Sequence, residues 1–190
     1  MRLFIAVPLP REISDRAAAC LPPALPALKL VRPELLHVTL SFLPVQRVQG
    51  RVADDRLEAA TDAARAAASG HLPFDLSFDH AGRFPATGRP RAIWLRIGAG
   101  KVELTRLAMD TAQELRRRSF AMEDRVFAPH LTLARVRADA SDPESRTIAA
   151  AIDALTVREL RMRVDHISVV ESVLSPQGPH YTTRAEAPLA

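Results

Sequence analysis

The chain has 190 residues, 47% hydrophobic and 25% charged, which suits one compact domain or two small lobes and excludes a disordered chain. A formal net charge of +4 mildly favours anionic partners, and the single cysteine, Cys20, excludes an internal disulfide and a Cys-based zinc site and fits a reducing cytoplasm. Of the 26 basic residues only Lys29 and Lys101 are lysine, a bias that composition explains for most arginines and leaves functional for a few.

The apolar opening is interrupted by Pro8 and Pro10, too short for a signal segment or a membrane span, and reads as a first strand over residues 2–7. Residues 11–21 read as a helix stopped by the prolines of 22–26. Residues 35–43 alternate as a strand, with Leu36, Val38, Leu40 and Phe42 on one face and His37, Thr39 and Ser41 on the other. An Ala-rich helix over 51–69 closes at Gly70, and 73–79 is a strand. The second half repeats this plan. Residues 91–97 form a strand and 102–119 a helix. A strand follows over 129–136, then a helix over 143–155 capped by Ser141 or Asp142, and a closing hairpin over 164–174 and 181–187. The Gly/Pro-rich stretch 82–90 is the natural seam between lobes of roughly 1–85 and 86–190, whose closing strands can exchange.

The informative feature is a tetrad that occurs twice: His37-Val38-Thr39-Leu40 and His130-Leu131-Thr132-Leu133. On a strand, residues i and i+2 share a face, so each His projects beside its Thr while the aliphatic residues anchor the other face. Two such strands facing each other bring two imidazoles and two hydroxyls around one small anion. Opening a cyclic phosphodiester needs a base to activate water and an acid to protonate the leaving oxygen, and histidine serves either role near neutral pH. The hydroxyls can hold non-bridging oxygens, and no metal or cofactor is required. Either tetrad alone reads as a surface histidine beside a good strand former; the pair points to catalysis. A two-metal site would want further ligands, and Glu34 and Asp124 lie outside the alternation.

These strands resemble the two-histidine (2H) phosphoesterase superfamily, and within it the RNA 2′,3′-cyclic phosphodiesterases, historically called 2′-5′ RNA ligases. The resemblance runs over nearly the whole chain and is carried by the segments 2–7, 34–43, Trp94-Leu95, 127–135, 171–174 and 178–181. It implies a bilobal α+β fold, a single domain over 1–190 with two pseudo-symmetric lobes, antiparallel sheets around a central cleft and helices outside. It implies that His37 donates a proton, that His130 accepts one from water, and that the product is an RNA 2′-phosphomonoester. The family continues its first motif as Phe-Leu-Gly-Glu; here it is Phe42-Leu43-Pro44-Val45, a change at the cleft rim that bears on substrate preference.

Supporting residues follow. Strict alternation puts Arg135 on the apolar Leu131/Leu133 face, so a bulge or the strand end must turn it outward, toward phosphate as in the family motif or into a rim salt bridge. Ser41 shares the His37 face. Phe42, Phe84 and Tyr181 could stack on a base; Phe42 and Trp94 read as core, and Phe84 as the better stacking candidate. His71, His80, His166 and His180 read as surface or structural, and the run 116–118 as a solvated helix end. The expected partners are RNA with 2′,3′-cyclic phosphate ends or cyclic nucleotides, met by a cytoplasmic monomer without membrane contact. Two other readings use the same residues: a 2′-5′ ligase running the chemistry backwards on RNA ends, and a non-catalytic module that only binds RNA ends or nucleotides.

Overall fold

The structure is a computed structural model that describes residues 2–23, 25–45, 51–122, 127–176 and 178–190, with backbone alone at 51 and 52. Its elements are β1 (Leu3–Pro8), α1 (Arg11–Ala18), β2 (Leu28–Leu30), a 3-10 turn (Pro33–Leu35), β3 (His37–Phe42), α2 (Arg51–Ala68), β4 (Phe74–Phe84) and β5 (Ala92–Ile97). Then come α3 (Lys101–Arg117), β6 (His130–Val136), α4 (Asp142–Asp153), β7 (Leu160–Val164), β8 (His166–Ser175) and β9 (Gly178–Pro188). The α+β expectation stands. The strands form two antiparallel sheets, a four-stranded one in the order β3-β1-β8-β9 and a five-stranded one in the order β2-β6-β5-β4-β7.

The sheets cut across the seam read at 82–90. That stretch joins β4 to β5 as neighbours in one sheet, and the C-terminal hairpin β8–β9 returns to the sheet of β1 and β3. The three-residue β2 is too short to declare itself in sequence, β7 is a strand beyond those expected although Leu160, Met162 and Val164 alternate with Arg161 and Arg163, and helix α1 stops at Ala18.

Each sheet buries one face. In β1, Leu3, Ile5 and Val7 join the main core, while Phe4 and Ala6 form a small second cluster with Val170 on the opposite face, against Tyr181. Helices α2 and α3 pack together on the core side, α2 also against β8 and β9 and α3 against β3; α1 packs on β7 and α4 on β4. Ala60, Ala63, Ala64 and Ala68 of α2 are fully buried, small side chains that let this helix approach closely. Helix α4 is opened by a capping box: the Glu144 backbone N–H donates to Ser141 Oγ, and the Ser141 N–H donates to Glu144 Oε2. Among the described residues no helix is long and apolar enough to cross a membrane.

Both tetrad strands carry a bulge at the same place. Ile5 pairs with Ser41 and Ala6 with Thr39, which leaves Leu40 as the extra residue of β3. Ile93 pairs with Ala134 and Trp94 with Thr132, which leaves Leu133 as the extra residue of β6. A bulge puts two residues opposite one and reverses the side-chain parity beyond it. The fourth residue of each tetrad therefore stays in the core, and every later side chain of the strand changes face.

Candidate active site

The bulges decide which side chains reach the open faces. On β3, His37 and Thr39 share a face with Pro8 and Ala6 of β1; beyond the bulge Phe42 joins them and Ser41 turns to the core. Ser41 is only 7% exposed, so the sequence expectation that it faces substrate is corrected. Phe42, read as core from strict alternation, is 71% exposed beside Phe4. On β6 the same shift places Arg135 on the face of His130 and Thr132. Trp94, also read as core, is half-buried on that face as the cross-strand partner of Thr132.

The two imidazoles are anchored alike. The Nδ1 of His37 lies 2.7 Å from the Leu35 carbonyl oxygen, and the Nδ1 of His130 lies 2.7 Å from that of Ala128. A carbonyl can only accept, so Nδ1 carries the hydrogen in both rings and Nε2 is left for chemistry. Each carbonyl lies two residues upstream of its histidine, where the strand begins.

Each ring is also held between aromatics. His37 lies 4.8 Å from Phe4 and edge-on at 5.5 Å to Tyr181, with Phe4 and Tyr181 themselves 5.1 Å apart. His130 stands edge-on to Phe84 at 5.3 Å and to Trp94 at 6.3 Å, while Phe84 covers Trp94 at 5.0 Å. The indole packs against Gly82, where a Cβ would collide with its six-membered ring. Its buried Nε1–H has no partner among the described residues, a cost of roughly 1–3 kcal/mol accepted to seat the ring there.

The halves converge electrostatically. Burial pushes the His37 imidazolium down below its ordinary pKa; the hydrogen bond to Leu35 opposes this, and the charge on His130 lowers it further. Burial raises the Tyr181 hydroxyl, and the charge on Arg135 pulls it back. Tyr181 is on the four-stranded sheet and Arg135 on the five-stranded one, so both couplings cross the gap between the sheets. Strands β3 and β6 pack against each other there.

The structure thus brings His37, Thr39, His130, Thr132, Tyr181, Phe84 and Arg135 onto the facing surfaces. Among the described residues neither threonine hydroxyl makes a hydrogen bond and Arg135 makes no ion pair, so all three are available to an anion. Glu34 is taken by Arg32 at 3.5 Å, and Asp124 lies outside the described residues. Among the described residues no group of three or more His, Cys, Asp or Glu could hold a metal. His71 and His166 pair with Asp110 and Asp165, at 2.8 and 2.6 Å. Arg117 and Arg118 of the basic run both bind Glu114 on their own helix. At the rim, the Pro44 carbonyl accepts from Arg56, whose guanidinium lies 4.6 Å from the Phe120 ring centre. Phe4 was missed in the sequence because one strand among core strands gives no sign of which face meets a second sheet.

A family model for the 2′-5′ RNA ligase superfamily matches residues 10–175. The chain belongs to that superfamily, the two-histidine phosphoesterases. An Archaeoglobus fulgidus protein named RNA 2′,3′-cyclic phosphodiesterase is 32% identical over 95% of this chain and 96% of its own length. A Methanothermobacter thermautotrophicus protein of the same name is 30% identical over 96% and 95%. The crystal structure of the Thermus thermophilus protein TT0787 superposes with a TM-score of 0.72 at 29% identity, covering 100% of this chain and 98% of that one.

Proposed function

We propose that this protein hydrolyses 2′,3′-cyclic phosphodiester ends of RNA to 2′-phosphomonoesters, with His37 as acid and His130 as base. The observation that carries the assignment is the matched pair of imidazoles. Both are fixed as Nδ1–H by an upstream carbonyl, both leave Nε2 open, and they are coupled across the gap. The name shared by the relatives points to the same reaction.

In the proposed step, His130 Nε2 takes a proton from water as its oxygen attacks phosphorus. The bond to the 3′ oxygen breaks in line, and that oxygen leaves with the proton from His37 Nε2. The cycle closes when solvent returns a proton to His37 and accepts one from His130. Burial disfavours the protonated form of His37 in the free enzyme, and an anionic phosphodiester beside it offsets that effect. Thr39 and Thr132 hydroxyls hold the non-bridging oxygens, and Arg135 balances their charge. In-line geometry puts the ribose on the His37 side, where Tyr181, Phe4 and the exposed Phe42 offer apolar surface for a base. Phe84, packed on Trp94 beside His130, walls the water side. We read the protein as a cytoplasmic monomer acting on RNA ends, without membrane contact.

The test is turnover of adenosine 2′,3′-cyclic phosphate in a chelator, with the product identified as the 2′-phosphate. His37→Ala and His130→Ala each lower kcat by about 10²–10⁴-fold. Either variant keeping most of its activity refutes the pair.

A further inference from the structure

Across the five-stranded sheet, one row on the open face runs Lys29, Arg135, Ala92, Phe84, each the cross-strand partner of the next. Lys29 and Arg135 are thus two cations directly opposite each other, both exposed. Like charges in that position oppose strand pairing. Elsewhere exposed strand arginines meet carboxylates: Arg163 with Asp75 at 3.2 Å, Arg96 with Asp79 at 3.0 Å, Arg184 with Glu171 at 3.1 Å. Among the described residues neither Lys29 nor Arg135 has such a partner. The missing counter-charge fits a ligand that carries it, an anion longer than the single phosphate that Arg135 would serve.

We propose that Lys29 binds the phosphodiester immediately 5′ of the cyclic end, so that the cleft prefers polynucleotide ends to free cyclic nucleotides. The orientation rests on the phosphodiesterase reading above. That reading places the terminal ribose on the His37 side. Tyr181 stands edge-on to His37, and Arg135 lies within electrostatic reach of Tyr181. The next phosphate hangs from the 5′ carbon of that same ribose. Lys29 lies one strand further out than Arg135, about 4.8 Å away across the pairing, with its long stem free to follow the backbone.

The experiment compares three substrates: a dinucleotide ending in a 2′,3′-cyclic phosphate, the same dinucleotide with an uncharged methylphosphonate linkage, and adenosine 2′,3′-cyclic phosphate. At low salt the wild type favours the charged dinucleotide by about tenfold in kcat/KM, and Lys29→Gln cuts that ratio to about threefold or less. Lys29→Arg restores it, and the methylphosphonate substrate does not sense residue 29. The slope of log kcat/KM against log salt shrinks by about 0.7 in Lys29→Gln. An unchanged ratio, or an equal loss on the charged and uncharged substrates, overturns the proposal. Should the wild type turn over none of the three, the hydrolase reading fails by itself. Anisotropy with a labelled oligonucleotide bearing a 2′-phosphate end then decides the site. A Kd raised about fivefold by Lys29→Gln supports it, and a Kd within about twofold of wild type sinks it.

Discussion

Strands β3 and β6 carry the same tetrad, the same bulge and the same anchor for the imidazole, yet they differ five residues after each histidine. There β3 presents Phe42 and β6 presents Arg135. Their surroundings differ as well. His37 is set between Phe4 and Tyr181 and loses solvent, whereas His130 stands beside Phe84 and Trp94 at a more open rim. Repetition of the motif supplies two chemically equivalent nitrogens. The divergence beyond the bulges gives one half an apolar surface for a nucleoside and the other half a charge for its phosphate.

Changing the divergent positions should break this division of labour unequally. The largest effect is expected at Arg135, whose removal leaves the transition-state charge uncompensated: Arg135→Ala lowers kcat/KM about 10²-fold on every cyclic phosphate tested. Arg135→Lys recovers only part, because a point charge cannot replace a bidentate fork. Phe42→Ala is milder and of another kind. It raises KM about tenfold for substrates with a base, leaves kcat within about threefold, and does not affect a base-free ribose 2,3-cyclic phosphate. A uniform loss in both variants, on both substrates, would erase the distinction between the halves.

The tetrads were legible because a strand's two-residue period is local, so His37 with Thr39 and His130 with Thr132 could be grouped without knowing any partner strand. Ser41 and Phe42 were assigned to each other's faces for a related reason. One inserted residue leaves the apolar-polar pattern intact, and only the pairing of Ile5 with Ser41 and Ala6 with Thr39 reveals that parity has changed. Arg135 was legible in part, since the cost of burying an unpaired guanidinium already required such an irregularity. Strand β2 was not legible: Leu28–Leu30 follows a proline-rich stretch and is defined by its pairing with β6. The neighbourhood of Lys29 and Arg135 was hidden with it.

The smallest expected effect concerns the burial of His37 alone. In the unfolded chain its imidazole titrates near 6.5, and in the fold burial places it lower. Between those two values the unfolded state binds a proton that the folded state does not. Stability contributed by the neutral ring is therefore fully present above about pH 6.5 and is lost as pH falls toward the folded value. Urea midpoints measured at pH 7.5 and 5.5 should differ more for wild type than for His37→Gln, whose residue 37 does not titrate. Over that interval carboxylates such as Asp139 and Asp153, held low by Arg137 and Arg83, stay ionised, so they add nothing to the difference. Inorganic phosphate, bound between the imidazoles, should shrink the gap by favouring the protonated ring. A gap of equal size in wild type and variant would mean that burial does not lower His37, and the asymmetry of the two halves would then rest on Phe42 and Arg135 alone.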